Sequence, residues 1–127
     1  ESAEFEAAVA PLPQIRMVAP TTPEERLSRV LAGAQGFVYL VSLTGVTGAR
    51  GALPEGLPEF LARVRAATRL PLGVGFGIST PEQALTVGRL ADGVIVGSAV
   101  VRAISESAAP AQTAAELARA FQAGLRG

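Results

Sequence analysis

The stretch Gly73-Val74-Gly75-Phe76-Gly77-Ile78-Ser79-Thr80-Pro81 is the first whose residue types and spacing suit chemistry. It begins as an apolar strand and ends on a helix-start signal. Glycines let a backbone approach a ligand closely, and the helix that follows offers unpaired N–H groups to an anion. A dinucleotide fingerprint requires G-x-G-x-x-G with an acidic residue about 20 positions on, after the next strand. Here the closing position is Thr80, and Asp92 precedes the next strand instead of following it. A dinucleotide site is therefore disfavoured. Close strand–helix packing that demands small residues is the plain alternative.

A second stretch, Gly93-Val94-Ile95-Val96-Gly97-Ser98-Ala99-Val100-Val101, repeats the design: a strand, a Gly-Ser turn, then a short helix. Barrel enzymes often hold phosphate with the loops after strands seven and eight and the N-terminus of a short extra helix. Two such βα units in succession fit that arrangement better than either does alone, and point to a small phosphorylated ligand. A third stretch, Tyr39-Leu40-Val41-Ser42-Leu43-Thr44-Gly45-Val46-Thr47-Gly48-Ala49-Arg50, runs from a strand into a loop of small polar residues and glycines. Such a loop can close over a ligand and exclude water, or simply be a solvated connection. It opens a long connection, Leu43 to Gly56, and loops of that length in compact domains are usually functional.

Composition narrows the chemistry further. The 127 residues contain neither His nor Cys, so disulfides, zinc–thiolate sites and His- or Cys-based catalysis are excluded. No metal site is expected. Net charge is zero, and no basic run or acidic tail suggests nucleic acid or an anionic membrane as partner. No apolar run approaches the roughly 18 residues of a membrane span, and no signal peptide is apparent. A cytoplasmic setting is the default expectation. Charged residues make up 17% and apolar residues 49%. That balance supports a core and suggests apolar surface that something else covers. The eleven basic residues are all Arg, which reads as compositional bias. The chain starts at Glu1 without Met, so processing, or a longer parent chain, is expected.

The elements that must position these motifs alternate. Ile15–Ala19, Phe37–Ser42, Leu72–Phe76 and Val94–Val96 are nearly continuous in apolarity, as parallel strands buried on both faces are. Helices are expected between them. Thr22-Pro23-Glu24-Glu25 and Thr80-Pro81-Glu82-Gln83 each offer a cap residue, Pro at the first helical position and an acceptor three residues after the cap. Phe60, Leu61 and Val64 mark another helix, Thr113 to about Gly124 a last one, 1–9 a first, and Val100–Ile104 a short extra one. The Ala/Ser-rich 105–115 reads as a loop. The order α-β-α-β-α-β-α-β-α-α implies one α/β domain over 1–127 with a parallel sheet and right-handed crossovers.

Four motifs then carry a resemblance. Val18-Ala19-Pro20-Thr21-Thr22 with Glu25-Arg26-Leu27 resembles the fifth strand and helix start of tryptophan synthase alpha subunits. Phe37-Val38-Tyr39-Leu40-Val41-Ser42 followed by Gly45-Val46-Thr47-Gly48-Ala49 resembles their sixth strand and loop. Gly75-Phe76-Gly77-Ile78-Ser79 and Gly97-Ser98-Ala99-Val100-Val101 resemble their seventh and eighth strand ends. Order and spacing agree from Glu1 to about Ile104. The implied fold is the C-terminal half of a (β/α) TIM barrel: four parallel strands, the fifth to eighth, with flanking helices.

The family cleaves indole-3-glycerol phosphate to indole and glyceraldehyde 3-phosphate in tryptophan biosynthesis, a lyase reaction that uses no cofactor of its own. By similarity, backbone N–H groups of Gly48, Gly77, Gly97 and Ser98 would hold the phosphate. Met17, Tyr39, Phe76 and Ile95 would line the indole pocket, with plain core packing the alternative for Met17 and Ile95. Thr47 matches the loop threonine that meets the catalytic aspartate on closure. Leu43 stands where many members have Arg. The family's partner is a beta subunit that uses pyridoxal phosphate and consumes the indole.

The family's catalytic Glu and Asp lie on the N-terminal half of the barrel, outside this sequence, so no catalytic residue is assigned here and the chain alone is expected to be inactive. Its own acids do not replace them. Asp92 precedes its strand, and Glu24, Glu25, Glu82 and Glu116 suit helix N-terminal turns. A half-barrel has two open sheet edges and an uncovered inner face. The complementary half, self-association or a longer parent chain is expected to cover them. Two other readings stay open: a half-barrel that binds a phosphorylated ligand without turnover, and a related barrel such as indole-glycerol-phosphate synthase. The Gly-Val-Thr-Gly loop argues against the latter.

Overall fold

The structure, a computed structural model, describes residues 2–41, 55–75 and 77–126. Ten elements follow the expected order: α1 (Ser2–Val9), β1 (Arg16–Val18), α2 (Glu24–Ala32), β2 (Val38–Val41), α3 (Leu57–Ala67), β3 (Leu72–Gly75), α4 (Pro81–Gly88), β4 (Gly93–Val94), α5 (Ser98–Ser105) and α6 (Pro110–Arg126). The strands form one parallel sheet in the order β1-β2-β3-β4. Sequential order with right-handed crossovers puts every connecting helix on one side. This is one arc of a singly wound barrel, and it removes the dinucleotide alternative, in which strand order reverses at the binding crevice.

The side chains sort by the period-two alternation of strands. Val18, Val38, Leu40, Leu72 and Val74 face the helices and are buried. Leu27 and Leu31 from α2, Leu57, Phe60, Leu61 and Val64 from α3, Ala84 and Val87 from α4, and Phe121 from α6 complete that core. The opposite face carries Met17, Tyr39, Gly73 and Gly93 in one row, by strand register. Met17 is 61% exposed and Ile15 40%, so this face is only partly covered.

Two local expectations need correction. Thr22 does not cap α2: the helix starts on Pro23, whose carbonyl accepts from Arg26 and Leu27, and no side chain caps it. The Thr22 hydroxyl instead accepts from the Ala19 N–H at 3.1 Å, closing the turn after β1. The last helix begins at Pro110 rather than Thr113 and runs to Arg126. Ser107 makes the earlier start: its hydroxyl accepts from the Ala109 N–H at 3.0 Å and pairs with Thr113 Oγ1 at 2.7 Å. Proline suits the first helical turn that follows.

Two close helix contacts set the outer layer. A Cβ at Gly124 of α6 would meet Pro81 of α4 at 2.8 Å (side chain) and 3.1 Å (carbonyl oxygen), and one at Gly88 of α4 would meet the Leu125 side chain at 2.6 Å. These glycines let α4 and α6 approach, which seats α4 behind the turn that follows β3.

Candidate functional site

The candidate site lies at the carboxyl end of the sheet, where the turns after β3 and β4 leave adjacent parallel strands. After β3, Gly77 takes the left-handed conformation (φ 46°), which glycine enters without steric cost. Ile78 then drops into the core, 3% exposed. The chain enters α4 through a reciprocal cap: Thr80 Oγ1 accepts from the Gln83 N–H, and Gln83 Oε1 accepts from the Thr80 N–H, both at 3.3 Å. Glu82 adds a carboxylate to this first turn. Its own backbone N–H, and then the Thr80 hydroxyl, hold its pKa below the usual carboxylate range.

After β4 the chain behaves differently. The ladder continues with Ile95 N–H donating to the Val74 carbonyl at 2.8 Å. Gly97 is the N-cap of α5 and its carbonyl accepts from Val100 and Val101. No side chain caps α5 and its first turn holds no acid. Helix geometry leaves the Ser98 and Ala99 N–H groups without a partner inside the helix. The dipole's positive end is thus offset by Glu82 at α4 and uncompensated at α5. Gly97 and Ser98 are both exposed.

The inner face below these turns brings other expected residues together. A Cβ on Gly75 would meet the Tyr39 ring at Cζ, 2.8 Å away, and Ile95 Cβ at 3.2 Å. One on Gly73 would meet the Phe37 ring at 3.1 Å and Ile95 Cδ1 at 3.2 Å. Phe37, Tyr39 and Ile95 therefore pack over the glycine backbone of β3, with Met17 beside Tyr39 on β1. Met17, at 61% exposed, is not core within this chain. Leu43, Thr47, Gly48 and Phe76 lie outside the described residues. In Leu72-Gly73-Val74-Gly75 the glycines fall on the alternate positions opposite the buried Leu and Val, and the close approach they permit is taken up by Phe37, Tyr39 and Ile95.

Asp92 sits at the other end of the sheet, as expected from its place before β4. It accepts from the Leu72 N–H at 2.8 Å and forms an ion pair with Arg65. The Leu72 N–H first, and Arg65 second, lower its pKa. It ties β3, α3 and β4 together and stands away from the glycine turns. Among the described residues no group of acids could hold a metal ion, and no helix is long and apolar enough to cross a membrane.

The model of the tryptophan synthase alpha chain family matches residues 2–126. The chain belongs to that family. It is 59% identical over 93 residues to a tryptophan synthase alpha chain of Roseiflexus castenholzii, which covers 73% of this chain and 36% of that relative. A Mycobacterium tuberculosis tryptophan synthase structure matches over all of this chain and 48% of its own, with TM-score 0.83 and 39% identity. The alpha chain of Legionella pneumophila matches over 91% of this chain and 43% of its own, with TM-score 0.76 and 34% identity. The chain thus spans less than half the length of these relatives. The neighbours are tryptophan synthase alpha barrels, so the four strands are one half of a (β/α) barrel.

Proposed function

We propose that this chain supplies the phosphate-binding half of an alpha-type lyase that cleaves indole-3-glycerol phosphate to indole and glyceraldehyde 3-phosphate. The observation that carries the reading is the pair of glycine turns at the carboxyl end of adjacent strands in a chain of this family. The α5 N-terminus supports it, since an uncapped first turn without an acid favours an anion. On this reading Gly77, Gly97 and Ser98, with Gly48 from the long loop, hold the phosphate through backbone N–H groups. Tyr39, Ile95, Met17 and Phe76 line the indole pocket, and the glycines of β3 let the Tyr39 ring and Ile95 pack down against the sheet.

Retro-aldol cleavage breaks the carbon–carbon bond between the indole and its glycerol side chain. A proton goes onto the indole ring and another leaves the side-chain hydroxyl, so an acid–base pair is needed. Arg65 and Leu72 already engage Asp92, and Glu82 is tied to its own backbone and Thr80. By the family likeness the pair is supplied by the N-terminal half of the barrel, and Thr47 contacts one of them when the loop closes. This chain alone binds without turning over. A beta subunit that consumes indole is the proposed partner. A Pyrococcus furiosus neighbour with TM-score 0.78 and 36% identity, over 88% of this chain and 46% of its own, is an α2β2 tryptophan synthase complex.

An amide NMR titration of the chain with glycerol 3-phosphate tests the phosphate assignment. Saturable shifts centred on Gly48, Gly77, Gly97 and Ser98 are expected; a dispersed spectrum that does not respond would refute it. Mixing the chain with an N-terminal half-barrel of the family should release indole from substrate.

A further inference from the structure

Gln83 does more than complete a helix cap. Its Oε1 accepts from the Ser79 N–H at 2.9 Å, the Ser79 hydroxyl at 3.2 Å and the Thr80 N–H at 3.3 Å. A capping box needs only the last of these. The two bonds to Ser79 reach one residue further upstream, into the turn after β3. That turn is fixed at one more point: Ile78, which follows Gly77 at positive φ, is buried in the core. Two successive anchors, Ile78 and Ser79, leave the backbone from Ile78 to Thr80 little freedom.

The residue type matters as well as the bond count. Capping boxes use Glu or Gln at this position. Glu would supply the same acceptor but would place a second carboxylate beside Glu82 in the first turn of α4. Gln supplies the oxygen without the charge. The same side chain therefore removes two N–H donors, those of Ser79 and Thr80, from the reach of a ligand. The anion is left to Gly77 and to the open α5 end.

We infer that Gln83 is a positioning residue for the phosphate turn. It holds the Gly77–Ser79 backbone ready for the phosphate and spares the first turn of α4 a further negative charge. This rests on the phosphate reading proposed above.

Three variants test it in the whole chain, with glycerol 3-phosphate binding read from amide shifts. Gln83→Met keeps the length but loses the acceptor. Thr80→Val breaks the other half of the cap and leaves the Ser79 bonds intact. Gln83→Glu keeps an acceptor and adds charge. Gln83→Met should move the free-state Ser79 and Thr80 amide signals and weaken binding about tenfold, the cost of losing a preorganised turn. Thr80→Val should melt at lower temperature yet bind as the unmodified chain does. Gln83→Glu should keep the Ser79 signal near its original place and still bind several-fold more weakly, through charge. Equal affinity of Gln83→Met and Thr80→Val would overturn the positioning role while leaving phosphate binding standing. If Gln83→Met does not fold, Gln83→Ala, which also lacks the acceptor, replaces it, and unchanged affinity there would overturn the positioning role; unchanged affinity in Gln83→Glu would overturn the part assigned to charge. An unmodified chain that binds no glycerol 3-phosphate would overturn both readings.

Discussion

The Tyr39 ring lies over the Cα of Gly75, so close that a Cβ there would stand 2.8 Å from Cζ. Tyr39 is paired by register with Gly73, two residues earlier on β3. Its side chain therefore leans along the strand toward the carboxyl end, where the proposed site lies. It can do so only because Gly75 has no side chain. Gly75→Ala should displace the ring and cost about 1–3 kcal/mol of stability by overpacking. In a Tyr39→Ala background the same change should cost much less, a non-additivity that urea unfolding of the four chains measures. Tyr39 is the only Tyr and there is no Trp, so near-UV circular dichroism reports the displacement directly. Additive costs would show that the two residues do not meet.

The α4–α6 seam predicts opposite outcomes for two glycines that look alike in sequence. A Cβ at Gly124 meets the Pro81 carbonyl oxygen at 3.1 Å, and backbone cannot swing aside. Gly124→Ala should lower stability by about 1–3 kcal/mol, against a helix-propensity gain of about 1 kcal/mol. At Gly88 the obstacle is the end of Leu125, a side chain 43% exposed and able to change rotamer. Gly88→Ala should be close to neutral. Thermal unfolding of the two variants separates them, and equal losses would refute the distinction.

The alternation of apolar strands with helix-start signals was legible because both are local. A buried parallel strand needs a continuous apolar run, and Thr80-Pro81-Glu82-Gln83 builds its cap as the spacing implies. The matching signal at Thr22 failed because a competing turn took its hydroxyl, and that turn depends on where β1 ends. The start of α6 was missed because Ser107 capping its own neighbourhood leaves no pattern distinct from a Ser/Ala loop. The turn at Gly77 could be read, since a glycine between a strand and a helix-start signal suits a positive φ. The dependence of Tyr39 on Gly75 could not, because it rests on register between two strands.

Asp92 should make the stability of the chain depend on pH at the acid end. Its folded-state pKa lies below the unfolded value, lowered first by the Leu72 N–H and then by Arg65. The stabilisation is then present above the unfolded value, about 3.9, and is lost as pH falls through the folded one. Both partners are more than 40% exposed, so solvent screening keeps the effect below about 1 kcal/mol. Asp92→Asn keeps an acceptor for Leu72 but loses the charge. It should be slightly less stable than the unmodified chain at neutral pH, and the difference should shrink as pH falls below the unfolded value. A difference that stays constant with falling pH would mean that shape, not charge, is what Asp92 contributes.

Met17 tests what the inner face is for. At 61% exposed it contributes little to this chain's own core, yet it stands beside Tyr39 on the face a closed barrel fills with side chains. Met17→Asp should therefore change the unfolding free energy of the chain by less than about 0.5 kcal/mol, as a surface substitution does. The same change should block assembly, because closing the barrel would bury an unpaired carboxylate. Sedimentation of the chain mixed with an N-terminal half-barrel of the family measures the assembly. Acrylamide quenching of Tyr39 measures whether the face is covered: accessible in the chain alone, protected in the mixture, and accessible again with Met17→Asp. If Met17→Asp instead unfolds the chain by itself, the inner face is already closed, and the open half-barrel is not the form the chain takes in solution.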